Sequence, residues 1–205
     1  MTDGTILSHF PAPGPAPLGL AWDGECLWVS DRKERKIFRC DPKDGHVLFS
    51  IAFDGELGGC GWDGKAVWQA DQTSRTISQI DPETGDIAKA IRVEHPSGEL
   101  TGVFCEGDAL WYALGRMGQL RKVKAEDGTY IRAYPTRPEV CGFVIVGKHL
   151  YYTEPPAATV HKMDVATGSV LISYQVGGQP TGIAHDGEKF WLADQELKRI
   201  VRMSF

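Results

Sequence analysis

Apolar and polar residues alternate along most of this chain in short runs, and residues suited to tight turns separate the runs. Alternation with a period of two is the mark of half-buried strands, and no segment carries the 3.6-residue period of an amphipathic helix. At one place in each longer unit an apolar residue leads into an aromatic one: Leu27-Trp28, Val67-Trp68, Leu110-Trp111, Leu150-Tyr151 and Phe190-Trp191. The aromatics are 40, 43, 40 and 40 residues apart. Around them recur Asp-Gly turns at 23–24, 63–64 and 186–187, and Asp-Pro-x-x-Gly turns at 41–45 and 81–85. Asp-Gly provides the positive φ angles of a hairpin, and the second motif fixes φ at proline and releases it at glycine.

A period of about 40 residues built from short strands predicts an all-β repeat fold, the β-propeller, with four antiparallel strands per blade. The units fall at about 18–54, 58–94, 100–137, 140–178 and 180–205. The last unit holds only three strands, at 182–185, 190–193 and 199–203, while an unassigned strand pattern lies at 5–10. Pairing that N-terminal strand with the last blade gives five blades in one closed ring and removes an exposed edge. The whole chain, 1–205, then forms one domain.

Composition narrows the partners. The formal net charge is −5 with no basic stripe, which argues against nucleic acid. There is no run of 18 apolar residues and no leader pattern at 1–5, so neither a membrane span nor secretion is expected, and the chain reads as cytoplasmic. Five scattered cysteines, Cys26, Cys40, Cys60, Cys105 and Cys141, form no CxxC pair and read as reduced core residues.

In a propeller the tight turns lie on one face, and the connections between blades share the other with the turns from second to third strands. Five such connections, at 11–17, 53–57, 94–100, 134–140 and 177–180, are longer and less regular, which makes that face the place for a site. Three residues before the first-strand glycine they carry Ala16, Glu56, Glu99, Glu139 and Gln179. Immediately before it stand Leu18, Gly58, Thr101, Cys141 and Thr181, and the second strands end on Asp31, Asp71, Leu114, Glu154 and Asp194. Carboxylates converging on a channel mouth can hold an amine or a divalent metal, or act as acid and base. On this reading Glu56, Glu99 and Glu139 are the catalytic candidates. Gln69, Thr101, Cys141, Thr181, Tyr112, Tyr152, Asp31, Asp71 and Asp194 are ligand-binding candidates, and His95 can reach the mouth. Against it, an Asp after a strand also caps the following turn, an acidic rim can be merely solvated, and the Trp28 series serves as packing between blades. No Ser/His/Asp grouping, metal-protease motif or phosphate loop is visible in the spacing.

The pattern resembles the plant-type glutaminyl cyclases, five-bladed propellers, over nearly the whole chain as architecture. Gly55-Glu56-Leu57, Ala66-Val67-Trp68-Gln69 and Ile80-Asp81 are similar to motifs of that family, as is Pro180-Thr181-Gly182-Ile183-Ala184. The resemblance implies cyclisation of an N-terminal glutamine with loss of ammonia, aided by an acidic side chain. The family's catalytic glutamate, however, falls on Val29, its tryptophan falls near Gln72, and Ala16-Pro17-Leu18-Gly19 replaces its opening motif. The resemblance therefore implies the architecture without authentic cyclase activity. Pro-x-Gly-Ile-Ala and Leu-Trp-Val-Ser-Asp are also similar to virginiamycin B lyase-like and NHL propellers. The expected function is a pocket for a small molecule or peptide terminus. The alternatives are a non-catalytic protein-interaction propeller and a metal-assisted lyase or hydrolase; oligomeric state stays open.

Overall fold

The computed structural model describes residues 2–93 and 99–205, so His95 lies outside the described residues. Five antiparallel blades form a β-propeller. The first blade is β3 (Pro17–Trp22), β4 (Leu27–Asp31), β5 (Lys36–Cys40) and β6 (Val47–Ala52). The second is β7 (Leu57–Trp62), β8 (Val67–Asp71), β9 (Thr76–Ile80) and β10 (Ile87–Arg92). The third is β11 (Leu100–Glu106), β12 (Ala109–Leu114), β13 (Gln119–Lys124) and β14 (Tyr130–Pro135), and the fourth is β15 (Phe143–Val146), β16 (His149–Glu154), β17 (Thr159–Asp164) and β18 (Val170–Gln175). The fifth joins β19 (Pro180–His185), β20 (Phe190–Asp194) and β21 (Arg199–Ser204) to the N-terminal strand β2 (Thr5–Pro11). Phe10 pairs with Ile200 and Thr5 with Ser204, so the ring closes through the strand expected at 5–10.

Two small features have no counterpart in the repeat pattern. Strand β1 (Thr2–Asp3) adds to the outer edge of the fourth blade, parallel to β18. A 3-10 turn, Pro155–Ala157, follows β16, where two prolines after Glu154 replace the Asp-led turn of the first, second and fifth blades.

The core lies between blades rather than within them. A strand's side chains alternate across its two faces, so each blade sends one residue set toward each neighbour. Trp28 packs with Leu57, Val67 and Ile80 of the next blade, and stacks on Trp62 at 6.2 Å. Trp68, Trp111, Tyr151 and Trp191 fill the other four seams. The periodic aromatics are therefore packing residues. A buried indole N–H also needs an acceptor, and the tight-turn acid supplies it. The Nε1 groups of Trp28, Trp68 and Trp191 donate to Asp23 (2.9 Å), Asp63 (2.7 Å) and Asp186 (2.9 Å), and that of Trp111 donates to Glu106 (2.9 Å). Arg39, Gln79, Lys122 and Arg202 on the third strands complete these clusters. Burial alone would raise the Asp23 pKa. Hydrogen bonds from the Cys26 and Glu25 amides and from Arg39 outweigh it and hold the carboxyl below its ordinary range.

At the axis the five first strands meet at glycine. A Cβ on Gly19 would lie 2.6 Å from the Cys60 nitrogen, on Gly59 2.5 Å from the Gly102 Cα, and on Gly142 2.5 Å from the Thr181 oxygen. Gly182 faces the Leu20 nitrogen at 2.7 Å, and Gly102 presses on the Cys141 carbonyl. Hydroxyls knit the same ring. Ser30 donates to the Gly58 carbonyl (3.0 Å), Thr101 to Val140 (2.7 Å), Thr153 to Thr181 (2.8 Å) and Thr181 to Pro17 (3.0 Å).

Overfilling a packed contact costs about 1–3 kcal/mol when the neighbours must shift. Gly59→Ala and Gly142→Ala, whose new methyl groups meet backbone, are each expected to lower folding stability by about that much. Urea unfolding monitored by tryptophan fluorescence measures it, and an unchanged midpoint for both would contradict the close-packed axis.

Candidate functional site

The mouth of the channel is built from the blade connections and the turns between second and third strands. A repeated backbone bond locks the two together: the amides of Arg32, Gln72, Gly115 and Gln195 donate to the carbonyls of Ala16, Glu56, Glu99 and Gln179. The terminal aspartates strengthen this lock. Asp31 is fully buried and accepts from the amides of Ala16 (2.7 Å), Lys33 (3.0 Å) and Glu34 (2.9 Å). Asp71 accepts from the Glu56 and Thr73 amides and from the Ser74 hydroxyl, and Asp194 from the Gln179 and Leu197 amides and from Arg199. All three carboxylates are occupied in joining a turn to the connection beside it.

That arrangement fixes the backbone of the glutamates and leaves their side chains differently placed. Glu56 and Glu139 are exposed, and among the described residues neither carboxylate has an ion-pair or hydrogen-bond partner. Glu99 pairs with Arg116 at 3.1 Å. Glu139 has φ +66°, and its amide donates to Gly115 rather than to an aspartate, because the fourth blade has no Asp in that register. Cys141 sits between these groups. Burial pushes its thiol up to about 12; Arg32 opposes the rise, and Glu99 and Glu139 add to it. Glu99, Glu139 and Arg32 are thus within electrostatic reach of one point on the inner ring. Glu56 lines a cavity of about 450 Å3 on this face, with Arg32, Arg35, Asp54, Thr73 and Ser74.

The remaining candidates have other neighbours. The Thr101 and Thr181 hydroxyls donate within the ring, as described above. Gln69, Tyr112 and Tyr152 follow the periodic aromatics, so the pleat turns them toward the preceding blade. Gln69 is fully buried, and its Nε2 donates to the carbonyls of Gly58 (3.0 Å), Gly59 (3.2 Å) and Ala70 (2.9 Å), leaving Oε1 without a partner. Tyr112 lies in the seam of the second and third blades, at the wall of an outer groove with Arg121 and Tyr130. Tyr152 lies in the seam of the third and fourth. The opposite end of the channel narrows to about 70 Å3, lined by Trp22, Trp62, Phe104, Phe143 and Ile183 among others.

All five cysteines are free thiols. Burial raises Cys40 and Cys60 to about 12, which leaves them protonated and unreactive at neutral pH. Among the described residues no three His, Cys, Asp or Glu side chains are grouped to hold a metal ion. No helix among them is long and apolar enough to cross a membrane.

Two groupings escaped the sequence. Arg32 follows the capping Asp31 and looks there like one charge in a solvated turn, yet its Nε is buried with no hydrogen-bond partner. The signal available was register, since the same position holds Gln72 and Gln195 in other blades. The second is a serine, histidine and carboxylate in one hydrogen-bonded chain, contrary to the expectation that no such grouping exists. The strand registers of the fourth blade bring Ser173, His161 and Glu154 into line. His161 Nδ1 meets the Ser173 hydroxyl at 2.8 Å and its Nε2 meets Glu154 at 2.7 Å.

No protein-family model matches the sequence, and no curated protein matches it. Solved structures do. Glutaminyl cyclase from Myxococcus xanthus superposes with a TM-score of 0.86 at 14% identity, covering 98% of this chain and 96% of that one. A catalytically inactive virginiamycin B lyase from Staphylococcus aureus, solved with quinupristin, gives 0.60 at 20% identity over 95% of this chain and 68% of its own. Hydrazine synthase from Kuenenia stuttgartiensis gives 0.57 at 18% identity, covering 92% and 58%. The protein shares the five-bladed glutaminyl cyclase fold, with a more partial likeness to lyase propellers.

Burial lowers the pKa of His161 from its ordinary 6.5, and Glu154 only partly offsets it. A depressed histidine favours the folded state while neutral. Its contribution is therefore present above the unfolded value of 6.5 and is lost as pH falls through the lower folded value. Urea titrations from neutral pH down through that window should show stability falling less steeply in His161→Gln than in the parent. Parallel profiles would rule out this role for His161.

Proposed function

We propose that the protein binds a small molecule or peptide terminus at the channel mouth, with a cationic group of the ligand held by Glu56, Glu99 and Glu139. The observation that carries this reading is the division of labour among the acids. Asp31, Asp71 and Asp194 are consumed by the turns, whereas Glu56 and Glu139 are held on the same face with exposed, unpartnered carboxylates. Turn chemistry needs the aspartates and does not need the glutamates. The cavity beside Glu56, about 450 Å3, is within the size range of small-molecule pockets.

The glutaminyl cyclase likeness supplies a first probe, because that fold carries chemistry on N-terminal glutamine in the protein it resembles. On the motif resemblance, that family's catalytic acid falls on Val29. Its side chain is fully buried in the seam of the first and fifth blades, where it could neither accept nor donate a proton. Binding without cyclisation is the reading that fits these residues.

A C-terminally amidated glutaminyl dipeptide, which has a free amine and no carboxylate, should raise the melting temperature without being cyclised. Replacing Glu56 or Glu139 with Gln should weaken binding about tenfold each, roughly 1.4 kcal/mol, as for one hydrogen bond to a charged group. Thermal shift and calorimetry measure the affinity, and mass spectrometry measures loss of ammonia. If Glu56→Gln, Glu99→Gln and Glu139→Gln all leave the shift intact, the acidic-mouth reading fails. Turnover of the peptide at an ordinary enzymatic rate would overturn the assignment of Val29.

A further inference from the structure

The mouth cavity between the first and second blades carries both signs of charge. Arg32 and Arg35 enter it from the turn that follows β4, and Asp54 and Glu56 from the connection that leads into β7. Among the described residues, none of these four charges is within ion-pair distance of another or of any other residue. Opposite charges facing one small cavity ordinarily neutralise each other. Here the backbone keeps them apart. Arg35 has φ +54°, a left-handed conformation held by the bond from the Phe53 amide to its carbonyl, and Glu56 is tied at its amide to Asp71 and at its carbonyl to Gln72.

Arg32 is the sharper anomaly. Arg32 as a whole is half-buried, but its Nε is shut off from solvent and has no acceptor, and an N–H donor left unsatisfied away from water is costly. Arginine presents its N–H groups as a flat fork suited to two oxygens of one carboxylate. The fixed carboxylate that shares this cavity wall, Asp71, is already occupied by two amides and a hydroxyl. One blade on, the Nε2 of Gln72 is likewise buried without a partner in the same register.

We infer that Arg32 is the anchor for a carboxylate of the ligand, and that the ligand is a zwitterion, an amino acid or short peptide with its amine toward Glu56 and Asp54. This inference rests on the proposed site at the channel mouth and adds the anionic half of the ligand to it. A zwitterion is the chemistry that answers both poles at once: its carboxylate meets the arginine fork and its amine meets the acids.

Three probes separate the two halves: N-acetylglycine, which has only the carboxylate; glycinamide, which has only the amine; and glycylglycine, which has both. The readout is the Nε–H signal of Arg32 in a nitrogen-resolved NMR spectrum, assigned by its disappearance in Arg32→Lys. N-acetylglycine and glycylglycine should shift it saturably, and glycylglycine should bind at least tenfold more tightly than either half. Arg32→Gln should reduce glycylglycine to the affinity of glycinamide without weakening glycinamide itself, since the lost cation can only repel an amine. Its backbone bond to Ala16 does not involve the side chain, so the fold is retained. The inference is overturned if N-acetylglycine fails to move the Arg32 signal up to its solubility limit, or if sodium chloride at equal ionic strength moves it as far. It is also overturned if Arg32→Gln binds glycylglycine like the parent. Failure of the mouth reading looks different: glycinamide binding would be absent or indifferent to Glu56→Gln, whatever Arg32 does.

Discussion

The close approach of five first strands at the axis is the constraint on which the rest of this molecule depends. Five blades leave less room at the centre than a larger ring would, and the chain answers by placing glycine where the strands meet. The ring of Gly19, Gly59, Gly102, Gly142 and Gly182 brings backbone against backbone, with no space for a single added carbon. Contact so tight takes polar backbone groups out of water, and they must find partners. The hydroxyls of Ser30, Thr101, Thr153 and Thr181 provide them by reaching across to the next blade. In the second blade, where Gly58 and Ala70 offer no hydroxyl, the buried amide of Gln69 takes over. These polar residues are consequences of the packing at the axis before they are anything else.

From that centre the blades fan outward, and the seams between them widen enough to take aromatic rings. The indole groups fill the seams, and their N–H groups are answered by acids from the tight turns. One short motif thus does two jobs. In Asp23-Gly24, one carboxylate oxygen caps the turn through the Glu25 and Cys26 amides while the other holds Trp28 and Arg39. The two faces diverge in character as a result. One is closed by short turns, four of which carry an acid that answers an indole N–H. The other carries the irregular connections, where charges such as Arg32, Glu56 and Glu139 are left without partners.

Much of this architecture was legible in the sequence because it repeats. The aromatic beat gave the blade count, and the missing fourth strand of the last unit pointed to the N-terminal one. Strand β1 was not legible, since Thr2 and Asp3 carry no alternation and are defined only by the edge they meet. At the mouth, the recurring acids were visible, but spacing does not separate an aspartate that caps a turn from a glutamate that is free. Only hydrogen bonds make that distinction. Ser173, His161 and Glu154 were hidden for a related reason: they lie on three consecutive strands and come into line only through the registers of those strands. Arg32 was missed because a cation in a turn is ordinary until its burial is known.

The way the ring is closed has a kinetic consequence. Every blade but the last is built from neighbours in sequence, so each can form as soon as its own residues are present. The last needs Phe10 beside Ile200, a contact that spans almost the whole chain. Long-range pairing of this kind is slow, because the loop must be closed before any contact rewards it. The fifth blade is therefore expected to form last, leaving the seam that holds Phe10 and Trp191 open to solvent until then. The N-terminal segment reaches further still, through β1, onto the edge of the fourth blade. One short stretch of chain thereby latches two blades, so its release would open the edges of both at once.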